Sequence, residues 1–370
     1  MSFTEFLQTI SPETFNKRFE FVTRNRIASI LSEDTLSIDE FYLLLSDTAS
    51  GMLEEMAQKA RSVTRKHFGN SVFLFTPLYI SNVCDNRCPY CSFAKQHTIV
   101  RKHLSLEEID REAAYIADMG IRHILILTGE SRKSASPDYL RSAVEILEHR
   151  FSSIAIEVYA LATDEYKMVI DAGVDGLTIY QETYNRQLFE SLHNGGPKAD
   201  YDFRLDAPQR AAKAGIRSVT IGALYGLSDW RMEAFISGLH AYYLQRTFPS
   251  LEVSVSFPRL RPQAGEFSTE HMVSDRQFVQ MLAAMRLFLP SAGITLSTRE
   301  SERFRNAVLP IGITKISAGV STAVGGHSGD CSSTAQFEIA DSRSVLQVKS
   351  DLLKSGFQPV MHDWNRGYVK

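Results

Sequence analysis

Val72-Phe-Leu-Phe-Thr-Pro-Leu-Tyr-Ile80, then Leu106 to Met119, then His123-Ile-Leu-Ile-Leu127 form the stretch that sets the fold. The outer two runs are short and rich in β-branched and aromatic residues, as strands are. The middle one spaces its apolar residues three and four apart, as a helix does. Strand, helix and strand in that order make a parallel pair joined by a crossover. The unit recurs roughly every thirty residues, about the length such a unit needs.

Working outward, the remaining strand runs are Ile154 to Leu161, Gly176 to Tyr180, Ser218 to Leu224, Leu251 to Phe257, Gly293 to Ser297 and Lys315 to Ala318. Amphipathic stretches lie between them, among them Asp138 to His149, Ala207 to Ala214, Met232 to Arg246 and Asp275 to Leu289. Ser105 with Glu108, and Ser274 before Asp275, are helix starts, and Gly120, Gly173 and Gly215 are helix stops before strands. Eight consecutive units fit an α/β chain of the (β/α)8 TIM type, with reactive groups after the C-terminal strand ends. An open doubly wound sheet is the alternative arrangement. Residues 1–70 carry helical spacing (Ile38 to Leu45, Met52 to Val63) and read as an N-terminal helical extension that covers the barrel. Residues 71–324 form the barrel. Residues 325–370 read as a C-terminal loop and helix, Val345 to Leu353, closing it, with an aromatic end around Trp364.

The formal net charge of −3 on 370 residues supplies no field for holding nucleic acid. Met1 to Phe19 has no signal-peptide pattern and no apolar run is long enough to cross a bilayer, so a cytoplasmic protein without membrane partners is expected. Three of the four cysteines fall within eight residues, too close for a disulfide framework. A reducing compartment leaves them free to bind metal.

Those three lie in Cys84-Asp-Asn-Arg-Cys88-Pro-Tyr-Cys91, at the end of the first strand. The spacing can gather three thiolates around a cubane cluster and leave its fourth iron without a protein ligand. That iron is open to the amino and carboxylate groups of an amino-acid-like cofactor. A structural zinc site would need a fourth close ligand, and His97 and His103 lack the paired spacing of zinc ribbons. Three merely buried cysteines are a poor reading of a loop as polar as Asp85-Asn-Arg87.

With Tyr90 before its last cysteine, the motif resembles the signature of the radical S-adenosylmethionine superfamily. The resemblance implies one 4Fe-4S cluster on Cys84, Cys88 and Cys91, S-adenosyl-L-methionine on the open iron, and Tyr90 near the adenine. Leu127-Thr128-Gly129-Glu130 is similar to the superfamily's Gly-Gly-Glu element, with Thr128 in place of the first glycine. It implies that Thr128, Gly129 and Glu130 meet the methionine ammonium, although a solvated turn carboxylate is the plain alternative. Glu182, in Tyr180-Gln-Glu-Thr-Tyr184, and Arg204, in Phe203-Arg-Leu205, are further cofactor-binding candidates. A guanidinium can grip a carboxylate with two parallel hydrogen bonds, but an ion pair serving structure alone is open for both.

Longer stretches are similar to the 2-iminoacetate synthases, the tyrosine lyases of thiamine thiazole biosynthesis. They are Tyr180 to Tyr184, Gly222-Ala-Leu-Tyr-Gly-Leu227, Ser256-Phe-Pro-Arg-Leu-Arg-Pro262 and Leu296-Ser-Thr-Arg-Glu300. This likeness implies cleavage of the Cα–Cβ bond of L-tyrosine to 2-iminoacetate and p-cresol, started by a 5'-deoxyadenosyl radical at the amino group. It also implies a thiazole synthase as product acceptor and a low-potential electron donor such as flavodoxin or ferredoxin. Arg261 and then Arg259 are the candidates for the substrate carboxylate, because both follow the sixth strand and alternation sends them to one side. Ser297 and Arg299 are weaker candidates for orienting the substrate. The rivals are a radical lyase acting on another aromatic amino acid and the tyrosine lyase of hydrogenase cofactor maturation, the latter sharing much of the Ile316-Ser-Ala-Gly319 region but carrying a further cluster on C-terminal cysteines. Here only Cys331 follows the barrel, and it reads as a bystander. Gly325-Gly326-His327 reads as a loop with a solvent-facing histidine, with a flexible lid as the alternative, Tyr242-Tyr243 as packing, and Arg61 to His67 as a solvated helix face.

Overall fold

The computed structural model describes residues 2–10, 22–261, 267–329 and 332–362. Eight parallel strands follow in order: β1 Ser71–Ser81, β2 His123–Thr128, β3 Ser153–Glu157, β4 Gly176–Glu182, β5 Ser218–Ala223, β6 Glu252–Ser256, β7 Gly293–Leu296 and β8 Lys315–Ser317. Each pairs with the next, and β1 pairs with both β2 and β8, so the sheet closes on itself and the open-sheet alternative is set aside.

Alternation along the strands explains both wall and lumen. In β2, Ile124 and Ile126 are buried outward beneath the helices, while His123, Leu125 and Leu127 line the interior. Barrel interiors are usually filled by layers of bulky branched residues. Here many inward positions are small and polar, including Ser218, Thr220, Ser254, Ser256, Thr295 and Ser317. The centre is left hollow, and the functional cavity occupies its upper part.

The expected third strand, Ile154 to Leu161, stops at Glu157, and the buried segment 158–161 turns away into the next helix. Between β4 and β5 the chain forms two short helices that periodicity did not reveal, Arg186–Leu192 and Tyr201–Leu205, and the second carries Arg204. The extension consists of the helices Phe3–Ile10, Arg24–Ser32, Ile38–Leu43, Asp47–Ser50 and Leu53–Phe68. It packs on the outer helices Trp230–Thr247, Asp275–Phe288 and Glu302–Gly312. Phe41 stacks on Phe288 at 4.3 Å and Phe3 on His240 at 4.0 Å. Gly238 makes room for this contact, since a Cβ there would lie 2.5 Å from the Phe41 ring.

The tail holds the expected helix, as Val345–Lys354, and also a strand, β9 Gln358–Val360, too short to show a period in sequence. β9 pairs with the first three residues of β1, below the point where β2 begins on the same edge. His327 does not face solvent. Its Nε2 lies 2.9 Å from the Pro77 carbonyl, and Glu112 accepts the N–H groups of His327 and Ser328 at 2.8 and 2.7 Å, pinning the loop to β1 and its helix. Cys331 and Trp364 lie outside the described residues. No helix among the described residues is long and apolar enough to cross a membrane.

Candidate active site

Beyond Ser81 the chain makes a loop that Arg101 organises from within. Its guanidinium donates to the carbonyls of Asn82, Phe93 and Ala94 at 2.6 to 2.7 Å. Cys84, Cys88 and Cys91 face the cavity this loop borders. Burial, with the nearby Glu130 charge adding to it, pushes the Cys84 thiol up to about 11. Burial also raises Cys88 and Cys91, against the pull of the Lys198 ammonium. Buried thiols of this kind become thiolates at neutral pH only beside a strong cation, which is what an iron cluster supplies. Among the described residues no three His, Cys, Asp or Glu side chains converge for a single metal ion.

The β2 terminus docks against the same loop. Gly129 N–H donates to Ser81 O at 2.7 Å, and a Cβ on Gly129 would lie 2.3 Å from the Val83 carbonyl oxygen, so only glycine permits this approach. Glu130 follows directly. Asn86 Nδ2 donates to its carboxylate at 2.8 Å, Arg204 at 3.1 Å, and Lys198 Nζ lies 3.4 Å away. Burial alone would raise this carboxyl, but the Lys198 and Arg204 charges bring it down to about 2. Glu182 shares both cations, with Lys198 at 2.5 Å and Arg204 at 3.5 Å, and they hold it ionised despite its burial.

Glu182 is held in a strained conformation. Among the described residues it is the one non-glycine with positive φ, at 68°, where β4 bulges against β5. Such a conformation persists only where neighbours over-determine it. Glu233, from the helix Trp230–Thr247, accepts the Thr183 hydroxyl and, at 2.9 Å, the Tyr184 N–H, locking the next two residues. Tyr90 is fixed from the other side, its hydroxyl 2.5 Å from His193 Nε2. His193 Nδ1 lies 2.7 Å from the Phe189 carbonyl and so carries the ring proton, leaving Nε2 to accept from Tyr90.

The cavity is partly open, with about 980 Å³ of space between its walls once the adjoining solvent is included. Its wall brings together Cys84, Cys88, Cys91, Tyr90, Thr128, Gly129, Glu130, Glu182, Arg204 and Arg261. Arg259 and Ser297 are not on that wall. Arg259 is buried and saturated, its Nε donating to Glu300 at 2.9 Å and its Nη1 to Asp275 and the Val273 carbonyl. β6 has ended at Ser256, so the alternation expected to aim both arginines inward does not carry through this segment. Ser297 lines a smaller chamber beneath, which shares Glu157, Tyr180 and Arg299 with the cavity above. Arg261 gives Glu300 one hydrogen bond at 2.7 Å, while its buried Nε has no hydrogen-bond partner among the described residues. Arg299 lines both spaces, its guanidinium 3.5 Å from the centre of the Phe337 ring. The Thr128 hydroxyl is also buried without a hydrogen-bond partner among the described residues. Three thiols, two carboxylates with their cations, and unsatisfied donors around one hollow fit an iron cluster with an amino-acid-like ligand.

Residues 78–237 match the radical SAM superfamily and residues 256–358 the biotin and thiamin synthesis associated domain. The chain is 38% identical to the 2-iminoacetate synthase of Escherichia coli (strain K12), over 98% of its own length and 97% of that protein. It belongs to the 2-iminoacetate synthase family of radical SAM enzymes. The family member from Salmonella typhimurium is 37% identical over the same shares. The FeFe-hydrogenase maturase HydG of Carboxydothermus hydrogenoformans has the same fold, with a TM-score of 0.90 at 30% identity over 98% of this chain and 86% of that one. A 4Fe-4S cluster and S-adenosylmethionine are the cofactors of this family.

Lys198, Glu157, Arg101 and Glu233 had not been singled out from sequence. For Lys198 a signal existed in Gly195-Gly-Pro-Lys198: Gly196 adopts φ +83°, and a Cβ on it would lie 2.3 Å from the Asn86 amide oxygen. Two adjacent glycines before a proline marked a backbone brought tightly against something else.

Proposed function

We propose that this chain is a tyrosine lyase that cleaves the Cα–Cβ bond of L-tyrosine to 2-iminoacetate and p-cresol. The observation that carries the reading is its likeness, over nearly the whole length of both chains, to 2-iminoacetate synthases. The cavity supports it, because one wall carries the donor set for a cluster and another carries guanidiniums with donors to spare for a carboxylate. When bound, the cluster and S-adenosylmethionine supply the initiating radical, with electrons from a low-potential donor such as flavodoxin or ferredoxin.

The residues of this chain divide the remaining work. Cys84, Cys88 and Cys91 would hold the cluster. Glu130 and Glu182, kept ionised by Lys198 and Arg204, receive the ammonium and hydroxyl groups of the cofactor. Arg204 is also available to the cofactor carboxylate, and Tyr90, held by His193, presents its ring to the adenine. Arg261 and Arg299 take the substrate carboxylate. Gln336 and Phe337, from the segment after β8, help shut water out, as a reactive intermediate requires. The residue spans 1–70, 71–324 and 325–370 serve as flank support, catalytic barrel and closing segment. Three free thiols suit a reducing, cytoplasmic setting. A hydrolysable imine product suits direct hand-over to a thiazole synthase.

Anaerobically reconstituted protein, given S-adenosylmethionine, a reductant and L-tyrosine, should release p-cresol, with glyoxylate from hydrolysis of the imine. Deoxyadenosine made with another aromatic amino acid but not with tyrosine would refute the assignment. The likeness to HydG favours a second reading, a tyrosine lyase that goes on to carbon monoxide and cyanide. Detecting either gas in the same assay would select it.

A further inference from the structure

The cavity carries three carboxylates, and two are matched by cations: Glu130 and Glu182 share Lys198 and Arg204. The third is Glu157, the last residue of β3, which lines both the cavity and the chamber beneath it. Its carboxylate has neither hydrogen bond nor ion pair among the described residues. Arg299 borders the same two spaces, held by ring stacking and without an ion pair among the described residues, and Arg261 borders the upper one with its Nε unsatisfied among those residues. One carboxylate with no donor beside two guanidiniums with donors to offer is the complement of a zwitterion. An α-amino acid presents just those two charges on one carbon.

We propose that Glu157 receives the ammonium group of the amino-acid substrate and takes one proton from it before hydrogen abstraction. This rests on the amino-acid-cleaving reading above. The step is a proton transfer without change of oxidation state: ammonium and carboxylate become amine and carboxylic acid. A hydrogen atom then passes from a neutral nitrogen to the 5'-deoxyadenosyl radical, and the resulting nitrogen radical forms the C=N bond as Cα–Cβ breaks, the unpaired electron leaving on the 4-hydroxybenzyl fragment, which takes one electron from the low-potential donor and one proton to become p-cresol. Abstraction from the ammonium would leave a cationic radical, and the imine would still have to lose a proton.

The surroundings suit the transfer. Burial raises the Glu157 carboxyl to about 7, with Arg299 opposing and Glu182 reinforcing the rise. The ammonium of a free amino acid is a weaker acid than this carboxyl, so the transfer runs modestly uphill, and the raised carboxyl makes it less so than an ordinary glutamate would. The titratable and charged groups facing Glu157 are Tyr79 from β1, Tyr180 and Glu182 from β4, Lys198 and Arg204 from the segment after β4, and Arg299 from the segment after β7.

The test compares L-tyrosine with its desamino analogue, 3-(4-hydroxyphenyl)propionate, by calorimetry on anaerobic, cluster-loaded protein with S-adenosylmethionine and no electron donor, so that nothing turns over. Glu157→Gln should weaken tyrosine roughly tenfold or more, the worth of a charge-assisted hydrogen bond, and leave the analogue unchanged. Under turnover, deoxyadenosine formation by the parent and by Glu157→Asp should rise with pH through about 7. Glu157→Gln should be slower and lack that rise. Tyrosine affinity equal to the parent's, or an equal loss for both ligands, would overturn the proposal. Should the parent not cleave tyrosine, the tyrosine assignment fails by itself. The paired comparison, run with phenylalanine or tryptophan and their desamino acids, still decides the role of Glu157.

Discussion

Replacing Glu130 by Gln keeps the shape of the side chain and deletes its charge, leaving Lys198 and Arg204 with one carboxylate fewer. In the parent the carboxyl falls from its usual 4.5 to about 2, which corresponds to roughly 3 kcal/mol at ~1.4 kcal/mol per pH unit. A carboxyl with a depressed folded pKa contributes stability that is complete above its unfolded pKa and lost as pH falls through the folded one. The gap between parent and Glu130→Gln should therefore be about 3 kcal/mol at pH 7, begin to close below about 4.5, and be nearly gone near 2. Glu130 is buried, so salt will screen the difference weakly. Denaturant titrations of both iron-free proteins under reductant, repeated from pH 7 downward, measure it directly. A gap that stays constant between pH 7 and pH 3 would show that the amide acts through shape and not through charge, and the electrostatic account of this site would fall.

Cys88→Ala should abolish both the iron-sulfur absorbance and deoxyadenosine formation, and a variant that kept its four irons would contradict the cluster assignment. Gly129→Ala should cost about 1–3 kcal/mol of stability, because the new Cβ meets backbone that carries the cysteine loop. Its cluster content after reconstitution should fall, and parent-like iron would show that the loop can yield. Arg259→Met strips buried Glu300 of one of its two cations and should destabilise by about 3 kcal/mol, as read from the thermal midpoint. Arg299→Met should instead leave the midpoint near the parent's and raise the tyrosine KM at least tenfold; exchanged outcomes would mean that the two arginines were assigned the wrong way round.

The barrel was legible because its signals are local: apolar runs of strand length, helix caps such as Ser105 with Glu108, and a repeating unit. The cysteine triplet and Glu130 were legible because both sit at strand ends, where the fold presents its reactive face. What escaped depended on contacts between distant segments. Glu157 lies inside a run that reads as continuous strand from Ile154 to Leu161, and only the end of pairing at Glu157 reveals it as a mouth residue. Lys198 enters the site through a Gly-Pro turn with no period to follow. Arg259 and Arg261 converge on Glu300, some forty residues on, and nothing in the local pattern says which one the acid saturates.

Asn86 has a consequence for how the enzyme matures. Lying between two of the cysteines, it donates to Glu130 with its side-chain nitrogen and accepts the Lys198 N–H with its side-chain oxygen, while its own carbonyl accepts the Lys95 N–H. Asp85 N–H reaches back to the Glu130 carbonyl at 3.0 Å. Inorganic assembly and receptor assembly thus share one scaffold, so installing iron should tighten the organic ligand's pocket and oxidative damage should loosen it. In a titration with iron and sulfide, affinity for the sulfonium cofactor should climb in step with loading, even before any electron is supplied.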